Sequence, residues 1–200
     1  MESIHGEHNM IRPKTLALVT ALVTGAALVP PTVRAQQPPS RTADSAPAAT
    51  ASATKISRGD RNALSDIAQA NMAEIEAGKL ALQKAQNANV KHFAQMMVDD
   101  HTKGLKDVQQ VAQAKGVELP TEPSRAQKGE VKGLSSLDAK EFDREYMAKA
   151  GIGDHRKVQG MLQKVSKNAK DSDVKQLATQ MLPVVEGHLA EAQSMARNGK

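Results

Sequence analysis

The sequence predicts an all-α fold, an antiparallel four-helix bundle with a long crossover between its second and third helices, and three observations carry that prediction. Sheet-forming aromatic residues are scarce: the 200 residues include no cysteine, no tryptophan, one tyrosine and two phenylalanines, while Ala, Leu, Lys, Gln, Glu and Met are plentiful. Apolar side chains recur every three to four positions in four separate stretches. The connections between those stretches run short, long and short.

Ahead of the bundle, Arg12 and Lys14 form a basic start, Thr15 to Val29 an uncharged apolar run, and Val33-Arg34-Ala35 a small-residue cleavage site. This pattern predicts a secretory signal over residues 1–35. The run is shorter than the roughly 20 residues that cross a bilayer, and Pro30-Pro31 ends it, so cleavage is expected rather than anchoring. Residues 36–56 are rich in Pro, Ala, Ser and Thr. They carry too little apolar surface to offset the entropy of ordering and are expected to form a disordered linker. The bundle domain is expected over residues 57–198, in a protein exported to the periplasm or secreted.

The first helical stretch opens at Ser57-Arg58-Gly59-Asp60 and turns Leu64, Ile67, Asn71, Glu74, Gly78 and Leu82 to one side. The second places Val90, Ala94, Met97, His101, Leu105, Val108 and Ala112 on a clean stripe, opened by Asn89 and closed by Gly116 and Pro120. A third is opened by Ser136 and Asp138-x-x-Glu141 and has Phe142, Tyr146, His155, Val158, Leu162 and Val165 as its inner face, with Gly151 and Gly153 weakening its middle. The fourth carries Val174, Leu177, Met181, Val184 or Val185, His188, Ala192 and Met195, and is opened by Asp171 or Ser172. Short links near Gln86 to Asn89 and Asn168 to Ser172 force antiparallel hairpins. The stretch from Val117 to Ser135 can span on the order of 60 Å, enough to return along a helix of about 39 Å. The third helix then lies parallel to the second, which is the ferritin-like order, with a brief extra helix expected around Ser124 to Lys132.

Three histidines, His101, His155 and His188, fall in or beside the apolar stripes, and Glu74 does so on the first helix. Counting the rise along each helix puts all four in the middle third of the bundle. Imidazoles and a carboxylate converging there are suitable ligands for iron, manganese, zinc or copper. Asp100, Asp154, Glu186 and Tyr146 are placed to support them as hydrogen-bond partners. The competing interpretation is that each histidine is a core residue whose nitrogens bond to Glu74, Tyr146 or water. The methionines, Met97 and Met181 among them, are expected to fill gaps in a core poor in aromatics rather than to form a soft-metal box.

Other functions find little support. The 27 Lys and Arg are scattered among 22 Asp and Glu over every helix, so a solvated surface is expected and no nucleic-acid partner. No Ser-His-Asp set, phosphate loop or HExxH pattern occurs, and no transmembrane segment is expected after signal cleavage. Self-association and peripheral contact with the envelope both stay open.

Met72-Ala73-Glu74-Ile75-Glu76, Val90-Lys91-x-Phe93-Ala94-x-x-Met97-Val98-x-Asp100-His101, Phe142-Asp143-x-x-Tyr146-Met147 with Asp154-His155, and Leu182-Pro183 with His188-Leu189 and Ala192 resemble the bacterial domain of unknown function numbered 4142. The likeness covers about Asp60 to Arg197. It implies a ferritin-like bundle, export in a bacterium and sometimes an outer-membrane label, but no activity. The chain lacks the Glu-x-x-His pairs of diiron ferritins: Val98, Ile152 and Val185 stand three residues before His101, His155 and His188. Two functions follow as expectations. One is a non-catalytic bundle with a structural, stress-related or envelope role; the other is a transition-metal or redox protein with a histidine-rich core site.

Overall fold

A computed structural model describes residues 55–198. The expected signal and most of the expected linker lie outside the described residues. Six α-helices and one π-helical segment account for nearly all of the described chain, and no strand occurs among the described residues. They are α1 (Arg58–Lys84), α2 (Ala88–Ala114), α3 (Arg125–Ser135), α4 (Ala139–Tyr146), the π-helical segment Met147–Asp154, α5 (His155–Asn168) and α6 (Ser172–Asn198). The helix α4, the π segment and α5 follow one another without a break and together form the third long rod of the bundle.

Local chemistry sets the ends of these helices. The Ser57 hydroxyl accepts from the Asp60 N–H at 3.0 Å and opens α1. Asn87 opens α2 by accepting from the Asn89 N–H, so the cap stands two residues ahead of the expected Asn89. Gly116, at φ 62°, closes α2, with the Val117 N–H reaching back to the Ala112 carbonyl at 2.8 Å. The extra helix of the crossover is α3, opened by reciprocal bonds between Ser124 and Gln127. Asp138 opens α4 and Asp171 opens α6. Within α6 the inward valine is Val185; Val184 is exposed, and the helix runs on through Pro183.

Hydrogen bonds between the ends fix the order of the rods. At one end Asp60, in the first turn of α1, accepts from the Lys170 and Asp171 N–H groups in the α5–α6 turn, both at 3.1 Å. Lys115, just past α2, pairs there with Asp171 at 2.8 Å and Asp173 at 2.6 Å. At the other end Asp143 of α4 accepts from the Gln86 and Asn87 N–H groups in the α1–α2 turn. Lys84 donates nearby to the Ser135 and Leu137 carbonyls. The third rod therefore runs parallel to α2 and antiparallel to α1 and α6, which is the ferritin-like up-down-down-up order expected from the loops.

The core is divided. One apolar cluster gathers Ala77, Ala81, Phe93, Met97, Phe142, Tyr146 and Ala192; a second gathers Leu64, Ile67, Val108, Leu162, Val174, Leu177 and Val185. Each long rod passes between them at a buried polar residue: Asn71 and Glu74 on α1, His101 on α2, His155 on α5 and His188 on α6.

Candidate metal centre

The three histidines meet in that polar slab. One ring nitrogen of each lies within 4.8 Å of one from each of the others, and the ring centroids are 5.4 to 5.6 Å apart. Among the described residues they are the one group of histidines and carboxylates so arranged. All three side chains are buried, His155 at 1% exposure.

Each ring has one nitrogen engaged by the protein, and the partner decides where its proton sits. His155 Nδ1 lies 2.8 Å from the Ala150 carbonyl, which only accepts, so Nδ1 carries the hydrogen. His188 Nε2 lies 2.8 Å from the Asp100 carboxylate and likewise donates. His101 Nδ1 lies 3.0 Å from Asn71 Oδ1. The Asn71 amide is oriented by its own Nδ2, which donates to the Ile67 carbonyl at 2.8 Å and so leaves the oxygen for the ring. In all three the proton is drawn to the engaged nitrogen. The lone pairs fall on His101 Nε2, His155 Nε2 and His188 Nδ1, and these three buried atoms have no hydrogen-bond partner in the protein.

The electrostatics keep the lone pairs of His101 and His155 free. Burial, reinforced by the neighbouring imidazoles of His155 and His188, holds His101 well below the ordinary histidine pKa. Burial also lowers His155 to about 4, partly opposed by its bond to the Ala150 carbonyl. Neutral imidazoles with fixed tautomers are the form that ligates a metal ion, and the engaged nitrogens supply the outer hydrogen bonds that orient such ligands. Nitrogens bound at about 2.0–2.1 Å to one ion stand about 3.3–3.6 Å apart, and one ring nitrogen from each histidine already lies within 4.8 Å of the others.

Glu74 is buried between α1 and α5 but is not one of this group. Its Oε1 lies 3.9 Å from His155 Nδ1, on the side of the ring that faces Ala150, and its Oε2 has no partner. Burial, then the nearby Asp154 and Glu130 carboxylates, raises its pKa well above the ordinary value and favours the protonated acid. Of the expected supporting residues, Asp100 touches the group directly. Asp154 instead holds Lys157 at 2.8 Å, and Glu186 faces outward and accepts from Gln159. Tyr146 stacks on Phe142, and its hydroxyl has no partner; burial and Glu74 raise its pKa.

Asn71 and Gly104 carry roles that the sequence did not reveal. Asn71 stands out only as an amide on an apolar stripe. A Cβ on Gly104 would sit 2.6 Å from Asn71 Oδ1 and 3.1 Å from Met181 Cε, so the absence of a side chain lets Asn71 reach His101. A cleft of about 340 Å³ between α2 and α6 leads past Met181 and Gly104 to His101 and His188. Met97 and Met147 belong to the apolar core, as expected.

Comparisons with known proteins agree with this architecture. A fragment of the domain of unknown function DUF305 from Deinococcus radiodurans superposes with a TM-score of 0.63 at 16% identity, over 72% of this chain and 98% of that one. CopM in its Cu(I)-bound form gives 0.58 at 17% identity over 70% and 96% of the two chains. Its Cu(II)-bound form gives 0.56 at 15% identity over 70% and 97%. Likenesses at such identities establish the fold. A comparison with curated proteins finds no match. The model of the family described as "Domain of unknown function (DUF4142)" matches residues 45–195, and the chain belongs to that family.

Proposed function

We propose that this protein is an exported, non-catalytic metal-binding bundle that holds one transition-metal ion, with copper favoured, at His101, His155 and His188. The observation that carries this reading is the set of three partnerless nitrogens. Leaving a buried acceptor without a partner costs about 1–3 kcal/mol each, and three of them, with their protons steered away by Asn71, Ala150 and Asp100, gain nothing from packing alone. One shared cation satisfies all three. A donor set of imidazoles without a carboxylate suits copper and zinc better than manganese or magnesium, and copper stands highest in the order of divalent affinities. CopM, which shares the fold, is known in Cu(I)- and Cu(II)-bound forms. The missing Glu-x-x-His pairs weigh against a diiron centre.

Elemental analysis of protein exported by its host and purified without chelators tests the reading. The expected result is close to one ion per chain, lost in His155→Ala and His188→Ala variants that stay helical. A chain that takes up no copper, zinc, iron or manganese, and whose melting is unmoved by all four, overturns it in favour of a purely structural triad.

A further inference from the structure

We infer that the π-helical segment Met147–Asp154 is a positioning device that turns His155 into the triad and brings the Ala150 carbonyl within reach of its ring. The argument starts from register. Phe142 and Tyr146 of α4 are both fully buried, one turn apart, and His155 and Leu162 of α5 are fully buried two turns apart. Nine residues separate Tyr146 from His155. At about 100° per residue an uninterrupted α-helix turns about 900° over that interval, half a turn out of phase, and His155 would face away from the core. A π-helix, at about 4.4 residues per turn, turns about 740° and returns His155 to within about 20° of Tyr146. Nine π residues also rise about as far as seven α residues, so the rod keeps its length while absorbing two extra positions.

The contacts follow the wider turn. The buried residues there, Tyr146, Met147, Ala150, Gly151 and His155, fall four or five apart, with Tyr146 and Gly151, and Ala150 and His155, at the wider spacing. A Cβ on Gly151 would stand 3.1 Å from the Ala192 Cβ and 3.3 Å from Met147 Cε, so the bulging backbone is seated against α6 at a residue without a side chain. The backbone N–H of His155 bonds to the Ile152 carbonyl, while its ring Nδ1 takes the Ala150 carbonyl five residues back. A rod two residues shorter would bury Tyr146 and Leu162 about equally well as a plain α-helix, but the residue five back would then stand about 140° round the helix from the ring and its carbonyl would be out of reach. Hence the π turn serves the histidine and not the core.

The test uses two deletions among exposed residues: Lys149 alone, and Ala148 with Lys149. In a continuous α-helix the single deletion leaves His155 about 80° off the inner face, and the double deletion restores it to within about 20°. Carbethoxylation of histidines, read by mass spectrometry with exposed His92 as the internal standard, needs no metal. His155 is expected to be protected in the parent and the double deletion, and modified at a rate near that of His92 in the single deletion. Protection in the single deletion, or exposure in the double, overturns the inference. Should the single deletion fail to fold, the double deletion alone decides, by the same criterion. A second readout rests on the metal-binding proposal: X-ray absorption should count three imidazoles in the parent, two in the single deletion, and three in the double at about 10–100-fold lower affinity, because the Ala150 bond is lost. If the parent binds no metal while the labelling pattern holds, the metal reading fails and the positioning inference stands.

Discussion

The proton on each imidazole is set by a neighbour that contributes no ligand of its own. For His101 the chain of cause runs from the Ile67 carbonyl to the Asn71 amide to the ring, and it depends on Gly104 lacking a Cβ. Asn71→Leu keeps the volume and removes the acceptor, so the ring loses both orientation and tautomer; metal affinity should fall about 10–100-fold with helix content unchanged. Gly104→Ala should do much the same from the opposite side, since its methyl would displace the Asn71 oxygen. Competition titration against a chelator of known affinity reads both, and parental affinity in Gly104→Ala would show that the Asn71 contact is dispensable. The three histidines were legible because each interrupts an apolar stripe at one depth. Of their partners, only Asp100 stood among the residues expected to support them. An amide has no metal-ligand signature, and the Ala150 carbonyl belongs to the backbone, which sequence does not distinguish from any other.

At the scale of the element, two aspartates perform the same task at opposite ends of the bundle. Asp60 and Asp143 each stand near the start of one rod and accept two backbone N–H groups from the tight turn of the neighbouring hairpin. The difference is burial: Asp60 is 4% exposed and also takes the Ser57 hydroxyl, while the Asp143 bonds lie at the surface. Asp60→Ala should therefore cost about 2–3 kcal/mol and Asp143→Ala about 1 kcal/mol or less, since water can replace only the second set of bonds. Urea midpoints of the metal-free proteins measure both, and equal losses would mean that burial does not decide. Caps, hairpins and crossover were legible because loop length and end-capping residues are local signals. The third rod was legible only in part. Its inner face reads as Phe142, Tyr146, His155 and Leu162, a set that no straight α-helix can align, and the π turn that reconciles them leaves no mark in the sequence beyond two glycines.

Across the whole molecule, a slab of buried histidines and one carboxyl between two apolar clusters makes stability depend on pH in two opposing ways. His155 titrates near 4 in the fold, and His101 is also lowered, against about 6.5 for an unfolded histidine. Between those values the unfolded chain binds more protons, so the stability associated with the neutral rings is fully present above pH about 6.5 and is lost as pH falls toward 4. For His155 alone the gap corresponds to about 3 kcal/mol. Glu74 has the opposite sign. Its folded pKa is raised, so the folded chain binds more protons above about 4.5 and its contribution is lost as pH rises. Glu74→Gln keeps the shape of the protonated acid and removes that loss. In metal-free protein it should melt higher than the parent at pH 7 by at least about 3 °C, and the advantage should shrink to near zero by pH about 3.5, where the parent carboxyl is protonated in both states. Parent and variant should share the acid limb that the histidines impose. A bound ion should steepen that limb, because proton and metal compete for the same lone pairs, so stabilisation by added copper should persist below neutrality and fade only as pH drops toward 4, where His155 takes up its proton. Scanning calorimetry across that range, with and without metal, resolves the contributions: an advantage of Glu74→Gln that does not change with pH would mean the glutamate acts through packing, and an acid limb missing from the metal-free parent would mean the imidazoles are not held neutral by burial.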